Sequence, residues 1–246
     1  MSVVVAVGQV GRDLVLSVDA VPEEGGSTPV RRRQELLGGK GANQAVGCRQ
    51  LGAEVHLVGV VGDDRAGEDV LAQAAGDGFG VDRVVRRAGA TTALLVDVVG
   101  PPGERRLLED VPDDVLLRAE DVRTATELLR SADAVLVQLQ QPGPAVTVAL
   151  EAAAQGGALV VADGAPADDD VRRRVLDHAH VVRADTNEAE ALVGWAPSDV
   201  AETVRAARSL LEAHGGGLRL EALPNVGARA WLSLPRSRVL DAAAAA

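Results

Sequence analysis

Short apolar runs alternate with longer amphipathic segments along most of the chain. The β-branched run Val3–Val7 predicts a strand buried on both faces, because every position in it is apolar. Further strands are predicted at 55–61, 134–139, 158–161 and 180–182. Helices are predicted at 40–52, 66–75, 121–130, 144–154, 171–177, 188–193 and 200–213. Strands separated by helices indicate βαβ units, and hence an α/β fold with a mostly parallel sheet flanked by helices.

Two stretches interrupt this alternation. Residues 14–37 begin with an apolar triplet and turn at Pro22 and Gly25-Gly26, while residues 91–110 place apolar segments on either side of Pro101-Pro102-Gly103. Both patterns are typical of β-hairpins, so we predict that the two stretches form one small β layer. The α/β body then comprises residues 1–13, 38–90 and 111–246. After Gly215 the pattern weakens, and the remaining strand candidates are 218–223 and 231–234.

The charge and composition narrow the function classes. The chain carries 25 Lys and Arg against 36 Asp and Glu, a formal net charge of −11. This acidic excess argues against a broad nucleic-acid or anionic-membrane surface, since both need basic residues. The single cysteine, Cys48, excludes an internal disulfide and argues against a cysteine-based zinc site. No apolar run approaches the ~20 residues of a membrane-spanning helix, and residues 1–10 lack signal-peptide features. We therefore expect a soluble cytoplasmic protein.

The segment Leu37–Ala45 carries the strongest local signal for a binding site. Its adjacent glycines let the backbone approach a ligand closely, and the helix that follows offers free N–H donors and a partial positive charge. Lys40 and Asn43 lie three positions apart, within one helical turn. The segment is not a Walker A loop, because Gly41 stands where Ser or Thr must bind magnesium. A pocket for a polyol or a phosphate-bearing molecule fits this pattern, and so does a tight glycine turn with a solvated lysine.

The run GGKGANQAVGCRQLGA at 38–53, continuing into HLVGVVGDDRAGEDV, resembles the first signature of the ribokinase-like sugar kinases of the phosphofructokinase-B type. Within that family the chain is most similar to the ribokinase branch, over residues 3–214. The resemblance implies a Rossmann-like α/β body with a small β lid over the sugar, and 14–37 and 91–110 match that lid. It further implies phosphorylation of a hydroxyl of ribose or a similar sugar with ATP and Mg²⁺, stimulation by a monovalent cation, and a homodimer formed through the lid.

The resemblance also assigns individual residues. The positions that match sugar contacts are Asp13, Gly39, Lys40, Asn43 and Gln140. The positions that match the nucleotide and phosphate side are Asp185, Glu188, Asn225 and Gly227, with Glu188 nearest the magnesium ion. Several of the family's residues are replaced here. Asn is replaced by Gly11, Asp163 and Asp185, and Glu by Gln140.

The family's second signature, a Gly-Ala-Gly-Asp stretch, has no counterpart in the chain. In the family its glycines stabilise the transferred phosphoryl group and its Asp accepts the proton of the attacking hydroxyl. After Glu188 the only aspartates are Asp199 and Asp241, and neither follows a glycine pair. No catalytic base is identifiable, and we expect a C-terminally truncated or divergent member. Three hypotheses stay open at this point, namely an active sugar kinase, a catalytically inactive homologue that binds a sugar or nucleoside, and a remnant that folds poorly.

Overall fold

The computed structural model describes residues 1–101, 104–213, 217–223 and 227–233. In chain order the strands are β1 Val3–Val7, β2 Gly11–Val18, β3 Val30–Gly38, β4 Glu54–Gly62, β5 Gly80–Arg87, β6 Leu94–Val99, β7 Arg105–Asp110, β8 Ala134–Gln138, β9 Leu159–Asp163, β10 Val181–Arg183, β11 Gly217–Leu223 and β12 Gly227–Ser233. The helices are α1 Lys40–Gln50, α2 Arg65–Gly76, α3 Ala119–Arg123, α4 Thr126–Ser131, α5 Gly143–Gly156, α6 Asp169–His178, α7 Thr186–Val193 and α8 Val200–Ala213. A 3₁₀ turn lies at Asp113–Val115.

A six-stranded sheet with the order β10-β9-β8-β1-β4-β5 forms the centre of the body. Every neighbouring pair in it is parallel, which confirms the predicted α/β class. From β1 the chain continues outward through β4 to β5, and it later returns to β8 and continues in the opposite direction to β10. The strand order therefore reverses between β1 and β8. In open α/β sheets, ligands bind beyond the carboxyl ends of the strands at such a point.

The core lies on both faces of this sheet. Val5 and Val7 face one cluster, which also holds apolar residues of α3 to α6, such as Leu129 and Leu150. Val4 and Ala6 face a second cluster, formed with α1 and α2. The alternation along β1 confirms a strand buried on both faces. In α1 the buried residues are Gly41, Ala42 and Ala45, whose small size lets the helix pack close to the sheet.

The two stretches predicted as hairpins form a second sheet with the order β3-β2-β6-β7. The outer pairs are antiparallel, as predicted, and the two hairpins meet through the parallel pair β2 and β6. This small sheet, β2, β3, β6 and β7, begins earlier than expected, because Gly11 already pairs with Gly38. A Cβ on Gly11 would lie 2.7 Å from the carbonyl oxygen of Ala93. Glycine is thus required at position 11 for backbone packing.

Two parts of the secondary structure differ from the sequence-based prediction. The helix predicted at 121–130 is split into α3 and α4 at Ala125, where the backbone departs from helical geometry with φ −100° and ψ 6°. Strand β5 was not predicted, since charged residues interrupt its apolar ones, which suits the edge position that it occupies. Strands β11 and β12 pair with each other in an antiparallel hairpin. In the described part of the chain, no helix combines the length and apolar character needed to cross a membrane.

Candidate functional site

The carboxyl ends of the central strands meet at the point where the strand order reverses. Gln9, which follows β1, donates its backbone N–H to Oε1 of Gln138 at the end of β8, over 2.6 Å. Asp163 ends β9 and Arg183 ends β10, and the two residues are paired in register. The first turns of α1 and α7 approach the same edge, since Lys40 contacts Glu188. Most of the residues assigned from the sequence lie here.

A glycine turn brings three chain segments into direct contact at the start of α1. Gly39 has φ 90° and ψ 147°, a positive-φ conformation that favours glycine, and a Cβ there would lie 2.7 Å from the carbonyl oxygen of Gln9. A Cβ on Gly38 would overlap the carboxylate of Asp13. A side chain at either position would therefore push β2 and the β1 end away from α1.

Asp13, Gly39 and Asn43 form one hydrogen-bonded group. Oδ1 of Asp13 accepts the backbone N–H of Gly39 over 3.3 Å, and the Asn43 side chain also bonds this carboxylate. Burial raises the pKa of Asp13 above its ordinary value, and the nearby charge of Asp97 adds to the effect, while the bonds from Asn43 and Gly39 oppose it. Asp13 is half-buried and Asn43 is exposed, so the group presents acceptors and an amide toward solvent.

Lys40, Gln140 and Glu188 form a second group beside the first. Oε1 of Glu188 accepts from the Gln140 amide over 2.7 Å and lies 3.4 Å from the Lys40 ammonium. The Glu188 side chain is 11% exposed, whereas that of Lys40 is 46% exposed. Lys40 is also the only lysine in the chain, all other residues of the 25 Lys and Arg being arginine. That bias is a sequence signal that would have strengthened the assignment of Lys40.

Asp185 caps the N-terminus of α7. Its Oδ1 accepts the backbone N–H groups of Asn187 and Glu188 over 2.9 and 2.8 Å. In return, Oε2 of Glu188 accepts the N–H of Asp185 over 2.9 Å, which completes a capping box. The carboxylate at 185 is therefore satisfied by the helix N-terminus. The family's Asn could cap the helix in the same way.

Sequence reasoning missed Arg183 and Gln44. Arg183 Nη1 lies 3.0 Å from Oδ1 of Asp163 and 3.5 Å from Oε2 of Glu188. Gln44, in the first turns of α1, donates to Oδ2 of Asp163 over 2.8 Å. The hydrogen bond to Asp163 raises the pKa of Arg183 above its ordinary value. The sequence did offer a signal for this pair, because Asp163 follows the predicted strand 158–161 and Arg183 follows the next predicted strand, 180–182.

The arrangement around Glu188 does not fit direct magnesium binding. Both of its carboxylate oxygens already accept from protein donors, and a directly bound Mg²⁺ would have to displace Lys40, Gln140 or Arg183. Among the described residues, no three His, Cys, Asp or Glu side chains are grouped to hold a metal. The metal role of Glu188 stays a prediction.

Asn225 and Gly227 are the remaining residues that the sequence assigns to the nucleotide. Asn225 lies outside the described residues. Gly227 begins β12 and pairs with Leu223 of β11. Their nucleotide roles stay predictions, and so does the sugar-binding role of the residues that the structure brings together at the sheet edge.

The sequence profile of the pfkB family carbohydrate kinases matches residues 1–217. The chain belongs to the pfkB family of carbohydrate kinases. This pfkB-family protein is 28% identical to mouse ribokinase over 209 residues, which are 85% of this chain and 65% of the mouse protein. It is 30% identical to the ribokinase of Schizosaccharomyces pombe over 171 residues, 67% of this chain and 54% of that protein. The chain thus spans less than two thirds of the length of these curated relatives.

Solved structures of the same fold agree with this assignment. The structure of Arabidopsis thaliana ribokinase complexed with ribose and ATP matches with a TM-score of 0.68 at 23% identity, covering 94% of this chain and 74% of that one. A ribokinase structure from Giardia lamblia matches with a TM-score of 0.73 at 22% identity, covering 97% of this chain and 74% of that one. These matches confirm the ribokinase-like fold predicted from the sequence.

Proposed function

We propose that this pfkB-family protein is a ribokinase-like kinase that transfers the γ-phosphoryl group of ATP to a hydroxyl of ribose or a similar sugar. One observation carries the proposal. The residues assigned to the sugar meet in two adjacent groups at the carboxyl edge of the sheet, where its strand order reverses. The ligands of Arabidopsis ribokinase, ribose and ATP, support the choice of substrate and phosphoryl donor.

Asp13 and Asn43 suit two neighbouring hydroxyls of a sugar. A carboxylate offers acceptor lone pairs and an amide offers both donors and an acceptor, so together they can bond to hydroxyls in either role. Asp13 already accepts from Gly39 and Asn43, and it has lone pairs left for a sugar hydroxyl. Its partial burial strengthens such a bond, because water competes less for the carboxylate.

Lys40 and Gln140 supply the other side of the proposed sugar site. Lys40 is the first residue of α1, so its ammonium adds to the partial positive charge of the helix N-terminus. Phosphoryl transfer depends mainly on positioning and on stabilising negative charge, which a lysine at this place provides. The Gln140 amide donates to Glu188 and leaves its carbonyl oxygen as an acceptor for a hydroxyl.

We further propose that the small sheet acts as a lid and that two copies of the chain pair through it. Asp13 lies on β2, so the small sheet borders the sugar residues directly. Three leucines of the sheet are exposed, Leu36 by 42%, Leu107 by 41% and Leu108 by 59%. Sedimentation velocity tests the pairing. We expect a dimer that dissociates when Leu108 is replaced by Glu, and a monomeric parent protein would contradict the proposal.

Calorimetric titration with ribose tests the binding step. We expect Lys40→Ala to weaken ribose affinity about tenfold, the loss of one charge-assisted hydrogen bond, with an unchanged circular dichroism spectrum. Arg174→Ala is the control, because its partner is Glu151 on α5. Unchanged ribose affinity in Lys40→Ala would contradict the placement of the site. A coupled assay with ATP and magnesium then separates a kinase, which turns over, from the alternative of a homologue that binds a sugar without turnover.

A further inference from the structure

Arg183 lies between two largely buried carboxylates that come from different elements. Its Nη1 is 3.0 Å from Oδ1 of Asp163 on β9 and 3.5 Å from Oε2 of Glu188 on α7. The side chains of Asp163 and Glu188 are 13% and 11% exposed, while that of Arg183 is 59% exposed. The guanidinium thus neutralises two buried charges from the solvent side of the cluster.

Glu188 is shared between Arg183 and Lys40. The Lys40 ammonium is 3.4 Å from Oε1 of Glu188, and the Gln140 amide reaches the same oxygen over a shorter 2.7 Å. Arg183 and the backbone N–H of Asp185 take Oε2. Because these donors satisfy much of the carboxylate, Lys40 is held by one long contact and keeps an exposed ammonium.

Arg183 supplies one of the two positive charges of this cluster. Lys40 and Arg183 oppose Asp163 and Glu188, and the charge of Asp185, whose carboxylate accepts N–H groups of α7, also acts on Arg183. Without Arg183, two largely buried carboxylates would share one ammonium. The attraction between opposite charges is stronger in such a partly desolvated place than in water. Lys40 would then be drawn toward Asp163 and Glu188.

We propose that Arg183 is a positioning residue that keeps the only lysine of the chain available to the ligand. By neutralising Asp163 and sharing Glu188, it prevents the carboxylates from capturing Lys40. The same balance accounts for the aspartate at position 163, since its charge is compensated by the arginine paired with it in register. The role of Lys40 toward a sugar rests on the proposed function. The effect of Arg183 on Lys40 can be measured without any sugar.

Reductive methylation with formaldehyde and cyanoborohydride measures how available the Lys40 amine is. The α-amino group of Met1 is the internal reference, and peptide mass spectrometry separates the two sites. We expect Arg183→Gln to slow methylation of Lys40 relative to Met1 about three- to fivefold, the range that a partly exposed ion pair supplies. Arg183→Lys should retain the parent ratio. Arg174→Gln, which removes an ion pair with Glu151, is the matched control.

Two Asp163 variants separate charge balance from simple structural damage. Asp163→Asn in the Arg183→Gln background should restore the parent methylation ratio, because it removes the uncompensated charge. Asp163→Asn alone should make Lys40 about twofold faster, since Arg183 then moves fully onto Glu188 and competes with Lys40. This single variant decides the question even if Arg183→Gln does not fold. Equal or faster methylation in a folded Arg183→Gln variant would overturn the proposal, as would a slower Lys40 in Asp163→Asn.

Ribose titration links the effect to binding. We expect Arg183→Gln to weaken ribose affinity about fivefold and the double variant with Asp163→Asn to recover it. If the parent protein binds no ribose, the proposed function fails, while the methylation ratios still decide the role of Arg183. If ribose binds but Arg183→Gln leaves both readouts unchanged, the role of Arg183 is refuted and the proposed function stands.

Discussion

Gly39 is a position where a single methyl group should be strongly destabilising. Its φ of 90° and ψ of 147° lie in a region nearly restricted to glycine, where another residue costs about 1–3 kcal/mol. The new Cβ would also lie 2.7 Å from the carbonyl oxygen of Gln9, which is backbone and cannot turn aside. Overpacking of this kind costs about 1–3 kcal/mol. We therefore expect Gly39→Ala to lower the free energy of unfolding by at least about 2 kcal/mol.

Gly47 provides the matched control, because it lies inside α1, the helix whose N-cap residue is Gly39. A Cβ there would have nothing within 4 Å. Alanine is favoured over glycine inside a helix by about 0.5–1 kcal/mol, so Gly47→Ala should stabilise the protein. Urea unfolding followed by far-ultraviolet circular dichroism measures both changes. The same substitution at the N-cap and in the interior of α1 should thus change the free energy of unfolding with opposite signs.

The ribose affinity of the two variants completes the test. Gly39→Ala should abolish ribose binding, since it displaces the N–H that bonds Asp13, and Gly47→Ala should retain it. A folded Gly39→Ala variant within about 0.5 kcal/mol of the parent, the usual range of harmless surface changes, would refute the reasoning about the turn. A Gly47→Ala variant that is less stable than the parent protein would contradict the open space found around that residue.

Three further predictions follow from buried and capping charges. Arg87→Ala should lower the free energy of unfolding in urea by about 3–5 kcal/mol, because the buried carboxylate of Asp121, 2.7 Å away, loses its cationic partner and keeps the backbone N–H of Arg118 as a donor. Arg86→Ala, which breaks only exposed pairs, should cost less than about 1 kcal/mol. Asp13→Asn should weaken ribose binding about tenfold or more yet raise the thermal midpoint at pH 7. Because the pKa of Asp13 is raised in the folded protein, its ionised form opposes folding. The stability advantage of Asp13→Asn should therefore shrink as the pH falls and Asp13 of the parent protein takes up a proton. An advantage that stays constant across pH would contradict this prediction. Asp185→Ala should lower the free energy of unfolding in urea by about 1 kcal/mol, because it removes the N-cap of α7, whereas Asp185→Asn should retain the stability of the parent protein. Equal losses in the two variants would show that the charge of Asp185, and not its capping bond, is what stabilises the helix.

The central sheet was predictable because its strands are buried on both faces. β1 and β4 are nearly continuous apolar runs, and such a run predicts a strand buried on both faces without any knowledge of its neighbours in the sheet. β5 was not predictable in this way, because an edge strand exposes one side and carries charged residues there. The small sheet was recognised from its turns. Its central parallel pair, β2 with β6, joins residues distant in sequence, and hairpin patterns carry no information about such pairing.

The site was predictable where its residues are neighbours in sequence. Gly39, Lys40 and Asn43 fall within one helical turn, so their spacing alone places them together. The pair of Asp163 with Arg183 depends instead on the register of β9 and β10, which a single sequence does not reveal. Gly11 and Asp185 replace asparagines of the family. The structure shows that backbone packing requires the first and that helix capping occupies the second.

The pairing of β2 with β6 has a consequence for the order of folding. Arg12 pairs with Leu94, and β4, α2 and β5 lie between them along the chain. Closing so long a loop costs conformational entropy before any contact repays it, so such pairs form slowly. The pair of β1 with β8 joins residues even farther apart, Val4 with Ala134. We therefore expect both long-range pairs to form after the local ones, such as β2 with β3 and β8 with β9. Asp13, which lies on β2, would then reach its place beside the other residues assigned to the sugar only late in folding.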